Sequence, residues 1–306
     1  MAPGADFRSR RVDGWLREKY GTVARGGNRV IQGQLVGPPP SEPQPKRPGV
    51  LDILGELRVP LEVLAFPFRA LRHPWPRCSN GDAKTVMLIP GFMAGDVSLR
   101  PMARFCGWLG HRAEFGGIWQ NARCPRTTIE QLIKRLREIA DRDGAPAVVV
   151  GQSLGGVYAR ELAWRDPDRV ERVITLGSPI NAPRDSCHRA VRLVADSMAV
   201  LRGRREGCLT ESCSCGLELT RRRAQSVPVT VVYSRTDGIV HWESCIDRTG
   251  SPMVEHTEVM GSHVGMALSP DVFRIIADRL ATPRRDSRPP VNRALRLVHL
   301  RPAPAR

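Results

Sequence analysis

The chain has 306 residues, 41% hydrophobic but only 5% aromatic, with 28 glycines and 26 prolines. That suffices for one large domain, or at most two, with loop-rich appendages. Its formal net charge is +16, yet residues 1–49 carry nine basic against four acidic side chains and residues 282–306 carry seven arginines against Asp286 alone, so the flanks hold eleven of the sixteen charges. With 43 arginines to 4 lysines, this excess reads as compositional bias in solvated tails rather than a nucleic-acid-binding patch.

No segment reaches the ~18 uninterrupted apolar residues of a membrane span, and the N-terminus lacks the apolar stretch of a secretory signal. The expectation is a soluble, cytoplasmic protein. Residues 36–49, VGPPPSEPQPKRPG, form a proline-rich linker, which sets 1–49 apart as a basic N-terminal extension. Residues 50–71 are apolar at Leu51, Leu54, Leu57, Leu61 and Leu64 but broken by Pro60 and Pro67. They are expected to form a bent helical element packed on the domain, while transient contact with a membrane surface stays open.

From residue 85 onward strands and helices alternate. A short strand is expected at 85–90 (TVMLIP), a helix over 98–110 with apolar spacing at Leu99, Met102, Phe105 and Leu109, and a strand at 111–115. An amphipathic helix follows over 127–144, apolar at Ile129, Leu132, Ile133, Leu136 and Ile139 and ended by Gly144. The remaining elements are a strand at 147–151, a helix at 154–165, strands at 172–179, 227–234 and 252–259, and a last helix over 270–280. Runs such as Val148–Val150 and Val229–Val232 are apolar on both faces, as a parallel sheet covered by helices requires. The arginine-rich stretch 181–226 interrupts the rhythm between two strands, where it is expected to form a cap. Residues 50–281 thus read as one α/β domain and 282–306 as a basic tail.

The chemistry is concentrated in VVVGQSLGGVYARELA, residues 148–163. A strand that turns at once into a helix puts Ser153 at a strained corner, and the flanking small residues Gly151 and Gly155 let the two arms approach. The hydroxyl then stands at a helix N-terminus, which favours nearby negative charge. Serine is a weak nucleophile without a base, and the base needs an orienting carboxylate. Asp237, in RTDGIV after the 227–234 strand, and His263, in MGSHVGM after the next strand, both fall at strand C-terminal ends, where such sheets gather their active-site loops. His256 lies inside a strand and His241 just beyond the acid loop, so neither fits as well; Asp247 is the reserve acid. An oxyanion needs two N–H donors. One is expected from Leu154 and the other from Phe92, in the loop IPGFMAGD.

With PGF at 90–92, GQSLGG at 151–156, SRTDGIV at 234–240 and GSHVGM at 261–266, the chain resembles the α/β-hydrolase superfamily, in particular its bacterial lipases and esterases, over residues 82–281. The resemblance implies a mostly parallel central sheet with helices on both faces and an inserted cap. It also implies a serine hydrolase with the triad Ser153, Asp237 and His263 and an oxyanion hole at Phe92 and Leu154. Many lipases carry a histidine where this chain has Pro90, so the resemblance does not extend to one lipase subfamily.

The expected reaction is hydrolysis of a small-molecule or lipid-like carboxylic ester through an acyl-enzyme, with no cofactor, no metal, no nucleic acid and no obligate protein partner. Acyl transfer, thioester cleavage and a non-catalytic binding protein on the same scaffold are the alternatives. The eight cysteines, Cys78, Cys106, Cys124, Cys187, Cys208, Cys213, Cys215 and Cys245, match no familiar zinc spacing, and their redox state stays open.

Overall fold

The structure, a computed structural model, describes residues 29–31, 34–36, 48–49, 52–60, 83–181, 187–201 and 225–283. The rest of the basic extension, nearly all of the C-terminal tail, residues 182–186 and 202–224 of the expected cap, and Cys78, Cys208, Cys213 and Cys215 lie outside the described residues. Residues 1–44 and 45–306 are separate compact units. In the first, β1 (Arg29–Ile31) and β2 (Gln34–Val36) pair antiparallel with Ile31 opposite Gln34, a hairpin the sequence reading does not anticipate.

The second unit is built on six strands: β3 (Thr85–Ile89), β4 (Arg112–Phe115), β5 (Ala147–Gln152), β6 (Val170–Leu176), β7 (Val229–Tyr233) and β8 (Val254–Glu258). They lie in the order β4-β3-β5-β6-β7-β8, with every pair parallel. Among the described residues five helices accompany them: α1 (Arg100–Trp108), α2 (Pro125–Asp143), α3 (Leu154–Arg165), α4 (Arg189–Leu201) and α5 (Pro270–Ala281). Alternate side chains serve opposite faces. Val86, Leu88, Val148, Val150 and Ile174 pack with Met102 and Cys106 of α1 and Phe273 and Ile276 of α5. Met87, Ile89, Val149, Val173 and Val231 pack with Leu132 and Leu136 of α2 and Tyr158 and Leu162 of α3. Because both faces are covered, the strands carry unbroken apolar runs instead of a polar alternation. This is the α/β-hydrolase architecture expected from the sequence, with element ends shifted by a few residues.

Two features tie the ends of the sheet. At the N-terminal ends of β3 and β6, Lys84 Nζ meets Glu171 Oε1 at 2.5 Å with both side chains almost fully buried, and it also donates to the Thr282 carbonyl beyond α5. At the C-terminal ends the order changes direction, since β4 lies on one side of β3 and β5 on the other. This is a topological switch point, where the connections after β3 and β5 lead to helices on opposite faces of the sheet.

Where residues 50–71, expected to form a bent helical element packed on the domain, are described, the segment is helical and attached to the domain, though not through Leu54 or Leu57. Asp52–Arg58 forms a 3-10 helix, but Leu54 and Leu57 point outward, at 56% and 73% exposure. The segment attaches through polar groups instead: Arg58 donates to the Thr236 carbonyl at 2.7 Å, and Glu56 accepts from the loops after β7 and β8. Of the stretch 181–226 expected to form a cap, α4 is described, with Leu193 and Val194 exposed. Among the described residues no helix is long and apolar enough to cross a membrane.

Candidate active site

Ser153 occupies the one-residue corner between β5 and α3, at φ 51° and ψ −123°. A side-chain-bearing residue avoids this geometry unless its surroundings impose it. Here the corner is pinned by Ser153 N–H donating to the Leu176 carbonyl of β6 at 2.8 Å and by Gly156 N–H donating back to the Ser153 carbonyl at 3.0 Å. Only glycine fits the arms: a Cβ on Gly151 would strike the backbone of Gly155 and Gly156, and one on Gly155 would sit 2.6 Å from the Pro90 carbonyl oxygen.

The loop after β3 runs past the same corner. Gly91 lies so close that a Cβ there would stand 3.1 Å from Ser153 Cβ. Gly91 to Ala94 forms a tight turn, with Ala94 N–H donating to the Gly91 carbonyl at 3.1 Å and Met93 at φ 62°. Asn121, buried in the loop after β4, holds that turn from behind. Its Nδ2 donates to the Pro90 carbonyl at 2.8 Å, its carbonyl accepts from Met93 N–H at 2.9 Å, and its N–H donates to the Ala94 carbonyl at 2.8 Å. Among the described residues, no acceptor pairs with the N–H of Phe92 or of Leu154.

Asp237 and His263, placed by sequence on two separate loops, are in contact. His263 Nδ1 and Asp237 Oδ2 are 2.6 Å apart, with side-chain exposures of 7% and 1%. The other carboxylate oxygen, Oδ1, accepts from Ile239 N–H at 2.9 Å and Val240 N–H at 2.8 Å, so the carboxylate has little freedom to turn. With an ionised aspartate facing Nδ1, the proton of a neutral imidazole belongs on Nδ1, which leaves Nε2 as the basic lone pair. Burial pulls the His263 pKa down, but the charge and hydrogen bond of Asp237, with help from Glu56, outweigh it and leave the net value raised.

Gln152, next to the corner, donates from Nε2 to the His263 carbonyl at 3.2 Å, which brings the β8 loop against the β5 corner. Ser153 Oγ and His263 are not hydrogen-bonded to each other. Such contacts are commonly long before substrate binds. Gly177, at φ +55°, passes behind the pair, and a Cβ there would lie 3.1 Å from both Asp237 Oδ2 and His263 Nδ1.

The reserve acid is engaged elsewhere. Asp247 Oδ2 is paired with Arg160 at 2.5 Å, and its Oδ1 accepts from the Thr249 N–H and hydroxyl. His256 lies on β8 with Nε2 accepting from Asp247 N–H at 2.9 Å, and His241 caps a short 3-10 turn. Cys106 and Cys245 are buried thiols. Among the described residues no group of three or more His, Cys, Asp or Glu side chains is arranged to hold a metal ion.

Sequence reasoning missed Glu56, Asn121 and Gly177. Each acts on residues far away in the chain, and no local pattern announces such a contact.

No protein-family model matches the chain, and no curated protein sequence matches it. Solved structures do resemble it. An α/β-hydrolase from the metagenome of Mar Chica lagoon sediments, Morocco, is 14% identical over 68% of this chain and 97% of its own, with a TM-score of 0.47. A carboxylesterase from Bacillus subtilis is 16% identical over 74% of this chain and 97% of its own, TM-score 0.43. A monoacylglycerol lipase from Paleococcus ferrophilus is 14% identical over 64% and 93%, TM-score 0.45. The likeness concerns fold alone and says nothing of activity. By its own sheet order and its strand-to-helix corner at Ser153, the chain has the α/β-hydrolase fold.

Proposed function

We propose that the protein is a carboxylic ester hydrolase working through an acyl-enzyme on Ser153. The observation that carries this reading is the buried 2.6 Å His263–Asp237 pair, on a loop bonded through Gln152 to the strained serine corner. Substrate binding closes the gap between Ser153 Oγ and His263 Nε2. Ser153 Oγ then attacks the ester carbonyl carbon as Nε2 takes its proton, and the Asp237 carboxylate stabilises the imidazolium that results. The carbonyl oxygen gains negative charge and accepts from Phe92 N–H and Leu154 N–H. His263 returns its proton to the departing alkoxide and the alcohol leaves. Water, activated by the same imidazole, then hydrolyses the acyl-serine. The reaction calls for no cofactor, and the substrate class is a small or lipid-like ester.

A fluorophosphonate probe tests the assignment directly. It should phosphonylate Ser153 and no other serine, and Ser153→Ala should abolish both labelling and hydrolysis of p-nitrophenyl esters. Labelling on a different serine, or ester turnover retained in Ser153→Ala, would rule out this nucleophile.

A further inference from the structure

Glu56 lies 182 residues before Gly238 and more than 200 before His263, yet its carboxylate accepts from the backbone of both loops. Oε1 takes the N–H of Gly238 at 3.1 Å and of His263 at 2.8 Å, and Oε2 takes the N–H of Val264 at 3.1 Å. Gly238 follows Asp237 directly, so one carboxylate grips both the acid loop and the base loop. The fit is shaped for this approach. A Cβ on Gly238 would lie 2.8 Å from the carbonyl carbon of Asp52 and 3.2 Å from Ile53 Cα, so the 3-10 segment could not seat against any other residue there. Arg58 secures the same segment by its bond to the Thr236 carbonyl. The sheet does not fix these loops in mutual register beyond Val259. Direct ties between them include the Ser234 and Thr236 hydroxyls on the Gly261 carbonyl, at 2.8 and 3.2 Å, and the Asp237–His263 contact itself.

We propose that Glu56 is a positioning residue that clamps the acid and base loops together, so that Asp237 and His263 stay in bonding register while the imidazole changes charge. The proposal rests on the ester-hydrolase reading. Its physical basis is that three backbone N–H groups converge on one carboxylate, and charge-assisted bonds of this kind are roughly twice as strong as neutral ones. The same negative charge lies near the imidazole, where it favours the charged form that arises when Ser153 gives up its proton. The charged groups that act on His263 are Asp237 from the β7 loop and Glu56 from the 3-10 segment, while the loop 259–269 brings none.

The test compares wild type with Glu56→Gln and Glu56→Ala in the full chain. Three readouts are needed: kcat and KM on a small soluble ester, the urea midpoint, and the His263 titration followed by NMR of histidine-labelled protein. Glu56→Gln keeps the shape but loses the charge and one acceptor oxygen. Its kcat should fall about tenfold to a hundredfold, the range expected when reacting groups are misplaced by a fraction of an ångström to about one ångström, with KM within about twofold because Glu56 is assigned no substrate contact. The His263 titration should move to lower pH. Glu56→Ala should do the same more strongly, and should it fail to fold, the glutamine variant carries the test alone. A Glu56→Gln enzyme with unchanged kcat and an unshifted His263 titration would overturn the proposal, as would a loss confined to the urea midpoint. If the wild type hydrolyses no ester, the functional reading fails, but the His263 titration still decides whether Glu56 acts on the imidazole.

Discussion

Adding one methyl group at Gly177 should separate the contributions of stability and site geometry. Gly177 has φ +55°, and a Cβ built on it lies 2.8 Å from the Met266 methyl and 3.1 Å from both Asp237 Oδ2 and His263 Nδ1. An L-residue held in the left-handed region loses about 1–2 kcal/mol, which sets the floor for destabilisation of Gly177→Ala. The contacts act on top of that. The Met266 methyl is the end of a flexible side chain and can turn aside. The two polar atoms form a buried 2.6 Å bond and cannot both retreat to the ~3.5–4.0 Å of a relaxed contact without lengthening it. The variant should therefore unfold about 1–3 kcal/mol more easily and lose roughly ten- to a hundredfold in kcat, with a smaller change in KM. Urea titration gives the first quantity and steady-state hydrolysis of p-nitrophenyl acetate by the folded variant gives the second. Wild-type kcat in Gly177→Ala would mean that the Asp237–His263 contact is not what drives turnover.

Removing the carboxylate itself, Asp237→Asn, should lower kcat by about 10⁴ with the fold intact. Because His263 must be neutral to act and its pKa is raised from the ordinary 6.5, the acid limb of kcat/KM should lie above that value in the wild type and move to lower pH in the variant, read from a pH–rate profile. Lys84→Met strips the buried Glu171 carboxylate of its cation and should destabilise the protein by about 3–5 kcal/mol, seen as a lower urea midpoint, while enzyme folded at low temperature keeps its kcat. If α4 borders the acyl site, catalytic efficiency should climb with ester chain length by up to ~0.8 kcal/mol per methylene, and Leu193→Ala should flatten that slope while sparing the acetate ester.

What the sequence revealed was whatever repeats locally. The doubly apolar runs around Val149 and Val231 and the 3.6-residue spacing of Ile129, Leu132 and Leu136 mark a covered parallel sheet because burial on two faces leaves that signature. The corner at Ser153 was legible for the same reason, since its glycines lie within three residues of it. Asp237 and His263 were found by position, as polar residues just past strand ends. Glu56 was hidden in a segment whose leucines drew attention to the wrong face, and the two that are described, Leu54 and Leu57, face water. Asn121 and Gly177 were invisible because a loop that braces another loop needs a donor or a missing side chain at one point in space, which no periodicity encodes. The hairpin β1–β2 was read as featureless extension because its two strands are only three residues each.

The parallel order of the sheet also has a bearing on the protein's birth at the ribosome. Among the described residues β8, the strand after which His263 lies, is the last strand in chain order and pairs with β7, so until it is made the chain carries Ser153 without its expected base. Each parallel pairing must wait for a crossover segment to fold back. On the proposed reading, Ser153 should stay mute until β8 docks on β7, and hydrolysis should begin only then. Appearance of turnover during refolding would then mark completion of the sheet's far edge, not the earlier collapse of its centre.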